Sequence, residues 1–136
     1  MHIPIMKGKV YLMGAGPGDP DLLPAEAVNL LRAAEVVLHD EAVSPEVLEL
    51  VSASAQVRNV DRLIESEAAS RDKILSLLIS AAHDGRQVVH LKSEDALSPE
   101  RVAEELEALV QANMDCELIS GAKPAMATAA GKNAAR

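Results

Sequence analysis

The chain has 136 residues, 49% of them apolar, with one tyrosine, no phenylalanine or tryptophan, and a formal net charge of −8. That length favours one domain able to bury a core without disulfides or metals, and scattered cations without aromatic platforms argue against a nucleic-acid partner. Single Cys116 excludes an internal disulfide and, with no leader-like start and no apolar run near the roughly 20 residues of a bilayer span, leads to the expectation of a soluble cytoplasmic protein without a membrane partner.

Lys9 to Met13 reads as a buried strand that runs into the stretch GAGPGDPDLL, residues 14–23. Pro24 to Ala34 reads as a helix, with Pro24 suited to the first turn because its missing N–H is not needed there. Its apolar positions Val28, Leu30 and Leu31 are expected towards the core. Glu35 to His39 is a continuous apolar run, the pattern of a strand covered on both faces, and Asp40 follows it. Ser44-Pro45-Glu46 starts a short helix with a serine cap, proline at the first position and an acid in the first turn.

Gln56 to Val60 reads as a third strand and the polar stretch 66–70 as a loop. Arg71 to His83 carries Ile74, Leu75, Leu78 and Ala82 on one helical stripe, and Gly85 supplies the stop. Gln87 to Lys92 is a fourth strand. Ser98-Pro99-Glu100 repeats the helix start, and that helix runs to about Gln111. Cys116 to Ile119 is a fifth strand. The tail 122–136 is rich in small residues and is expected to be loose or marginally helical.

Strands alternating with helices over short connections predict an α/β fold: a three-layer αβα domain over residues 1–121 with a five-stranded parallel sheet. Ligands of such sheets bind at the carboxyl ends of the strands. Those ends carry Gly14 to Asp19, Asp40, Asp61-Arg62, Ser93 to Asp95 and Ser120-Gly121, so these loops are expected along one edge. No metal-ligand cluster and no Ser-His-Asp or Cys-His arrangement is visible.

Three glycines within five residues exceed what a simple turn requires, which favours a loop built for close approach of backbone to a ligand. The dinucleotide fingerprint G-x-G-x-x-G is not met, because Asp19 stands where the third glycine belongs and its carboxylate would repel a pyrophosphate. Asp19 and Asp21 offset the positive end of the first helix. Asp40 has two readings, a cap for the turn that follows it or a proton acceptor. Arg62 likewise reads as a binder of a substrate carboxylate or as a surface ion pair. Asp95 reads as a ligand contact or as a cap near Ser98.

The segments GKVYLMGAGPGDPDLL, AAEVVLHDEAVSPEVLEL and GRQVVHLKSEDA together resemble the N-terminal half of the tetrapyrrole methylases, nearest the uroporphyrinogen-III C-methyltransferase branch, from Gly8 to about Ala130. The resemblance implies S-adenosylmethionine as cofactor, a tetrapyrrole such as uroporphyrinogen III as substrate, and a homodimer. The family's GxGPGD loop is matched by Gly14, Gly16, Pro17, Gly18 and Asp19, which implies that these residues bind the cofactor. Its YDRLVSPE segment is matched by residues 39–46, which makes Asp40 the implied proton acceptor. Its cofactor-contacting KGGDP loop becomes Lys92-Ser93-Glu94-Asp95-Ala96, keeping Lys92 and Asp95. Its VGKR becomes Asn59-Val60-Asp61-Arg62, keeping Arg62 as the implied substrate contact.

The departures and the absence of a second domain in these 136 residues keep an alternative open. In that alternative the chain is a catalytically inactive ligand-binding or protein-interaction module of the same fold.

Overall fold

The computed structural model describes residues 8–16, 18–63, 67–93 and 98–119. Five strands form one parallel sheet: β1 (Lys9–Gly14), β2 (Val36–His39), β3 (Gln56–Asn59), β4 (Gln87–Lys92) and β5 (Asp115–Ile119). Their order across the sheet is β3-β2-β4-β1-β5. The helices between them are α1 (Ala25–Ala33), α2 (Pro45–Leu48), α3 (Val60–Leu63), α4 (Glu67–His83) and α5 (Pro99–Gln111), and a single 3-10 turn, Pro20–Leu22, precedes α1.

The expected αβα layering is observed. On one face Leu31 of α1 and Val47 of α2 pack with Met13, Val37, Val89 and Leu91. On the other, Leu78 of α4 and Leu109 of α5 pack with Val10, Val36, Leu38 and Val88. Alternate residues of β4 thus serve opposite layers, as the two-residue period of a strand requires. Each fully buried leucine contributes about 1.5–3 kcal/mol relative to exposure, and with no phenylalanine or tryptophan the core relies on many such aliphatic contacts.

Local chemistry sets the element ends. Ser44 Oγ accepts the Val47 N–H at 3.2 Å, and Ser98 Oγ accepts that of Arg101 at 3.3 Å, so both serine caps are observed, each followed by proline. Gly85, at φ 84°, turns the chain out of α4. Gly8 is buried where the end of α4 meets the start of β1. Its N–H donates to Ala82 O at 3.1 Å, and the Lys9 N–H donates to Arg86 O at 3.2 Å.

Several sequence expectations are corrected. Residues 67–70 are the first turn of α4 rather than loop. Glu67, Ala68 and Ala69 are good helix formers, but the apolar stripe that reveals the helix starts only at Ile74. Val60 opens α3 instead of ending β3, and it is buried there. Pro24 caps α1 one position before its first turn, and Ala27 and Leu31 are that helix's buried residues, with Val28 and Leu30 only partly covered. Cys116 is half-buried, with its Sγ 3.9 Å from Leu106 O. Burial, followed by the nearby Asp115 and Glu105 carboxylates, pushes its thiol pKa up.

Candidate functional site

The sheet brings the carboxyl ends of β1, β2, β3 and β4 to one edge. Gly14 lies level with Lys92, and His39 lies level with both Leu91 and Asn59. Of the residues the sequence singles out, Gly14, Gly16, Gly18, Asp19, Asp40 and Arg62 therefore share that edge. Pro17 and Asp95, with Glu94, Ser120, Gly121 and the tail 122–136, lie outside the described residues.

The loop after β1 has the backbone that glycine is needed for. Gly16 has φ 63° and Gly18 φ 99°, left-handed conformations that side chains disfavour. The loop is held from two sides. Ala15 N–H donates to Lys92 O at 2.7 Å, extending the β1–β4 ladder by one bond. Ser44 Oγ donates to Gly18 O at 2.8 Å, so one hydroxyl both caps α2 and clamps the loop. Asp19 caps the 3-10 turn, accepting the Asp21 N–H at 2.9 Å.

Asp40 is a junction. Its Oδ1 accepts the Ala42 N–H at 3.1 Å, which is the turn cap. Its Oδ2 accepts the Ser93 N–H at 2.9 Å and the Ser93 hydroxyl at 3.1 Å. The carboxylate thereby ties the end of β2 to the end of β4, a link sequence reasoning did not find. Each oxygen retains further acceptor capacity. Beside it, buried His39 donates its Nδ1–H to Asp40 O at 2.8 Å.

The rest of the edge is a closed polar network. Arg62 pairs with Glu41 at 3.3 Å, both exposed. Asn59 donates to the same carboxylate, and Asp61 accepts the Glu41 N–H at 2.7 Å. Hydrogen bonding from Asn59, then Arg62, lowers the Glu41 pKa. Arg62 is therefore engaged in the surface ion pair. Ser44 and Ser93 are the site residues sequence reasoning missed: Ser44 read only as a helix cap, and Ser93 only as a side chain in a glycine position. Among the described residues no group of three or more histidine, cysteine or acidic side chains could hold a metal ion, and no helix is long and apolar enough to cross a membrane.

A parallel αβα domain with a glycine loop at the carboxyl edge of its sheet belongs to the α/β class whose members bind ligands at that edge. Within that class the chain belongs to the tetrapyrrole (corrin/porphyrin) methylases, whose family pattern it matches over residues 9–133. It is 41% identical over 122 residues to the uroporphyrinogen-III C-methyltransferase of Cyanidium caldarium, covering 90% of this chain and 49% of that protein. Among solved structures it is similar to uroporphyrin-III C-methyltransferase from Thermus thermophilus, with 39% identity and a TM-score of 0.73 over 87% of this chain and 49% of that one. A uroporphyrin-III C-methyltransferase from Thermus thermophilus complexed with S-adenosyl homocysteine superposes with a TM-score of 0.70 at 35% identity, over 85% of this chain and 49% of that one. The chain spans about half the length of these relatives.

Proposed function

We propose that this chain is the donor-binding half of an S-adenosylmethionine-dependent methyltransferase acting on a tetrapyrrole such as uroporphyrinogen III. The observation that carries the reading is the loop at residues 14–19. Gly16 and Gly18 hold left-handed backbone, and Lys92 and Ser44 clamp the loop in place. A bare backbone fixed at a strand end fits a ligand that must lie close to main-chain groups. The Thermus relative binds S-adenosyl homocysteine, and its likeness to this chain supports the same ligand here.

When bound, the donor supplies an electrophilic methyl group. The chain's own part is to hold the donor against the loop and to receive the proton that the methylated ring carbon gives up. Asp40 is the residue proposed for that proton: it is half-buried on the functional edge, and its oxygens keep acceptor positions beyond the bonds to Ala42 and Ser93. Pro17 and Asp95 complete the donor contacts in this proposal. A homodimer, which the family resemblance implies, is part of this proposal. The reducing cytoplasm suits its single thiol.

A second reading is favoured by one observation. Arg62, the residue that would meet a substrate carboxylate, is engaged by Glu41, and the edge carries Glu41 and Asp61 besides. A non-catalytic ligand-binding or interaction module would tolerate that arrangement. Titration calorimetry with S-adenosylmethionine and S-adenosylhomocysteine, followed by methyl transfer to uroporphyrinogen III, separates the readings. Donor binding with turnover supports the enzyme, and donor binding without turnover supports the module. Absence of saturable binding refutes both donor-based readings. Light scattering on the same sample tests the dimer.

A further inference from the structure

Two hydrogen bonds at the functional edge share one peptide group. Lys92 C=O accepts the Ala15 N–H at 2.7 Å, and Ser93 N–H donates to Asp40 Oδ2 at 2.9 Å. That carbonyl and that N–H both belong to the peptide joining Lys92 to Ser93. The peptide is trans, so its polar ends point to opposite sides, one to the loop after β1 and the other to the end of β2. The strand order places β4 between those two strands. Neighbouring strands lie about 4.8 Å apart, so the line from Ala15 to Asp40 crosses roughly 10 Å.

A peptide group is planar and rigid, so its carbonyl cannot tilt without its N–H tilting too. It also transmits charge. A carboxylate on the N–H pushes electron density onto the carbonyl oxygen and strengthens the bond at that end, by about 10–30% for bonds in series. Ala15 is 2% exposed, so water does not compete for its bond to Lys92.

Ser93 adds a second hold. Its hydroxyl donates to the same Oδ2 at 3.1 Å, so one residue sets two donors on one carboxylate oxygen. Ala42 N–H holds Oδ1 at 3.1 Å. Any residue except proline supplies the N–H at position 93, but the hydroxyl is particular to this side chain.

We infer that Ser93 is a positioning residue that couples the glycine loop to Asp40: a ligand seated on the loop shifts the Lys92–Ser93 peptide group and thereby sets where the Asp40 carboxylate stands. In the reaction proposed above, arrival of the methyl donor aligns the group that receives the proton. The identity of the ligand rests on that proposal, whereas the link from Ala15 to Asp40 does not. Such coupling is reciprocal, so removing the Asp40 carboxylate also weakens ligand binding at the loop without any contact between the two.

The test is amide NMR of the full chain, first without ligand. Asp40→Ala removes the charged acceptor, so the Ala15 amide proton, one peptide group away, should move upfield as its bond to Lys92 O weakens. Asp40→Asn keeps the Ser93 bonds and loses only the charge. It should move the same signal the same way by less, and it serves should Asp40→Ala not fold. Glu41→Gln, a neighbouring carboxylate outside the line, should leave that signal in place. S-adenosylhomocysteine is then added. In the parent the Ala42 amide, which reports on Asp40 Oδ1, should shift saturably. In Asp40→Ala that response should vanish, and the affinity should fall about fivefold, the low end of usual coupling between sites. Ser93→Ala should lower kcat for methyl transfer about tenfold, as a slightly misplaced reacting group does, with KM for the donor unchanged, and Ser93→Thr should restore it. An Ala15 signal indifferent to both Asp40 variants, an Ala42 response that survives Asp40→Ala, or an unchanged kcat in Ser93→Ala overturns the inference. A shifted Ala15 signal in a chain that does not bind S-adenosylhomocysteine supports the link and refutes the donor reading instead.

Discussion

Removing the Asp40 carboxylate should loosen the functional edge by an amount the structure sets. Asp40→Ala deletes three acceptor contacts: Ala42 N–H at 3.1 Å, Ser93 N–H at 2.9 Å and the Ser93 hydroxyl at 3.1 Å. The Ala42 N–H is exposed and water replaces the lost partner, so this contact contributes little. The Ser93 N–H is part-buried, and leaving it unpaired costs about 1–3 kcal/mol. With the lost hydroxyl bond, the total is about 2–4 kcal/mol.

Asp40→Asn is milder. Its single carbonyl oxygen keeps both Ser93 bonds while the amide turns towards Ala42, so the loss is about 1 kcal/mol. At this chain length each kcal/mol lowers the melting temperature by roughly 4 °C. Thermal denaturation followed by circular dichroism should therefore show a fall of about 8–16 °C for Asp40→Ala and about 4 °C for Asp40→Asn. Combining Asp40→Ala with Ser93→Ala should cost less than the sum of the two, because both remove one bond. An Asp40→Ala protein that melts within about 2 °C of the parent, or strict additivity in that pair, would refute the junction.

Three further outcomes are expected. Gly8→Ala should lower stability by about 3 kcal/mol in urea unfolding: the added Cβ collides with the Ala82 and Arg86 carbonyl oxygens, which are backbone acceptors already in use and cannot swing away. Ser44→Ala should cost about 1 kcal/mol as a lost helix cap, and should also weaken S-adenosylhomocysteine binding in calorimetry, because the Gly18 carbonyl loses its clamp; a lost cap with unchanged affinity would separate the two tasks. Glu41 has a depressed pKa in the folded protein, so its contribution is complete above the ordinary glutamate value near about 4.3 and disappears as pH falls through the folded value. The melting curves of Glu41→Gln and the parent should accordingly converge in acid and differ only above it.

How much of this could be read from sequence follows from how local each signal is. The apolar runs of β2 and β4 announce buried strands because both faces of those strands are covered, and the Ser-Pro-Glu starts of α2 and α5 act within four residues. Where the signal is an apolar stripe, it is silent until the stripe begins, so the first turn of α4 reads as loop. The glycine loop is legible as backbone that requires glycine, because left-handed φ has a residue signature. Its clamps are not, since Ser44 and Gly18 lie 26 residues apart and Asp40 and Ser93 lie 53 apart. Those partners meet only because β4 pairs with β2 on one side and β1 on the other. Arg62 shows the same limit: the sequence allows either a substrate contact or an ion pair, and the pairing with Glu41, 21 residues away, appears only in the fold.

The strand order has a consequence for how the chain is made. β1 and β2 emerge first, yet neither pairs with the other, since β4 lies between them. During synthesis the first strand, with the glycine loop behind it, has no neighbour until residues 87–92 leave the ribosome. Closing that long loop is an entropic cost that slows folding. Because the Ala15 N–H must wait for Lys92 O, the glycine loop takes its shape only after β4 has emerged. Any fragment ending before β4 should carry the glycine motif in its sequence and have no geometry to go with it.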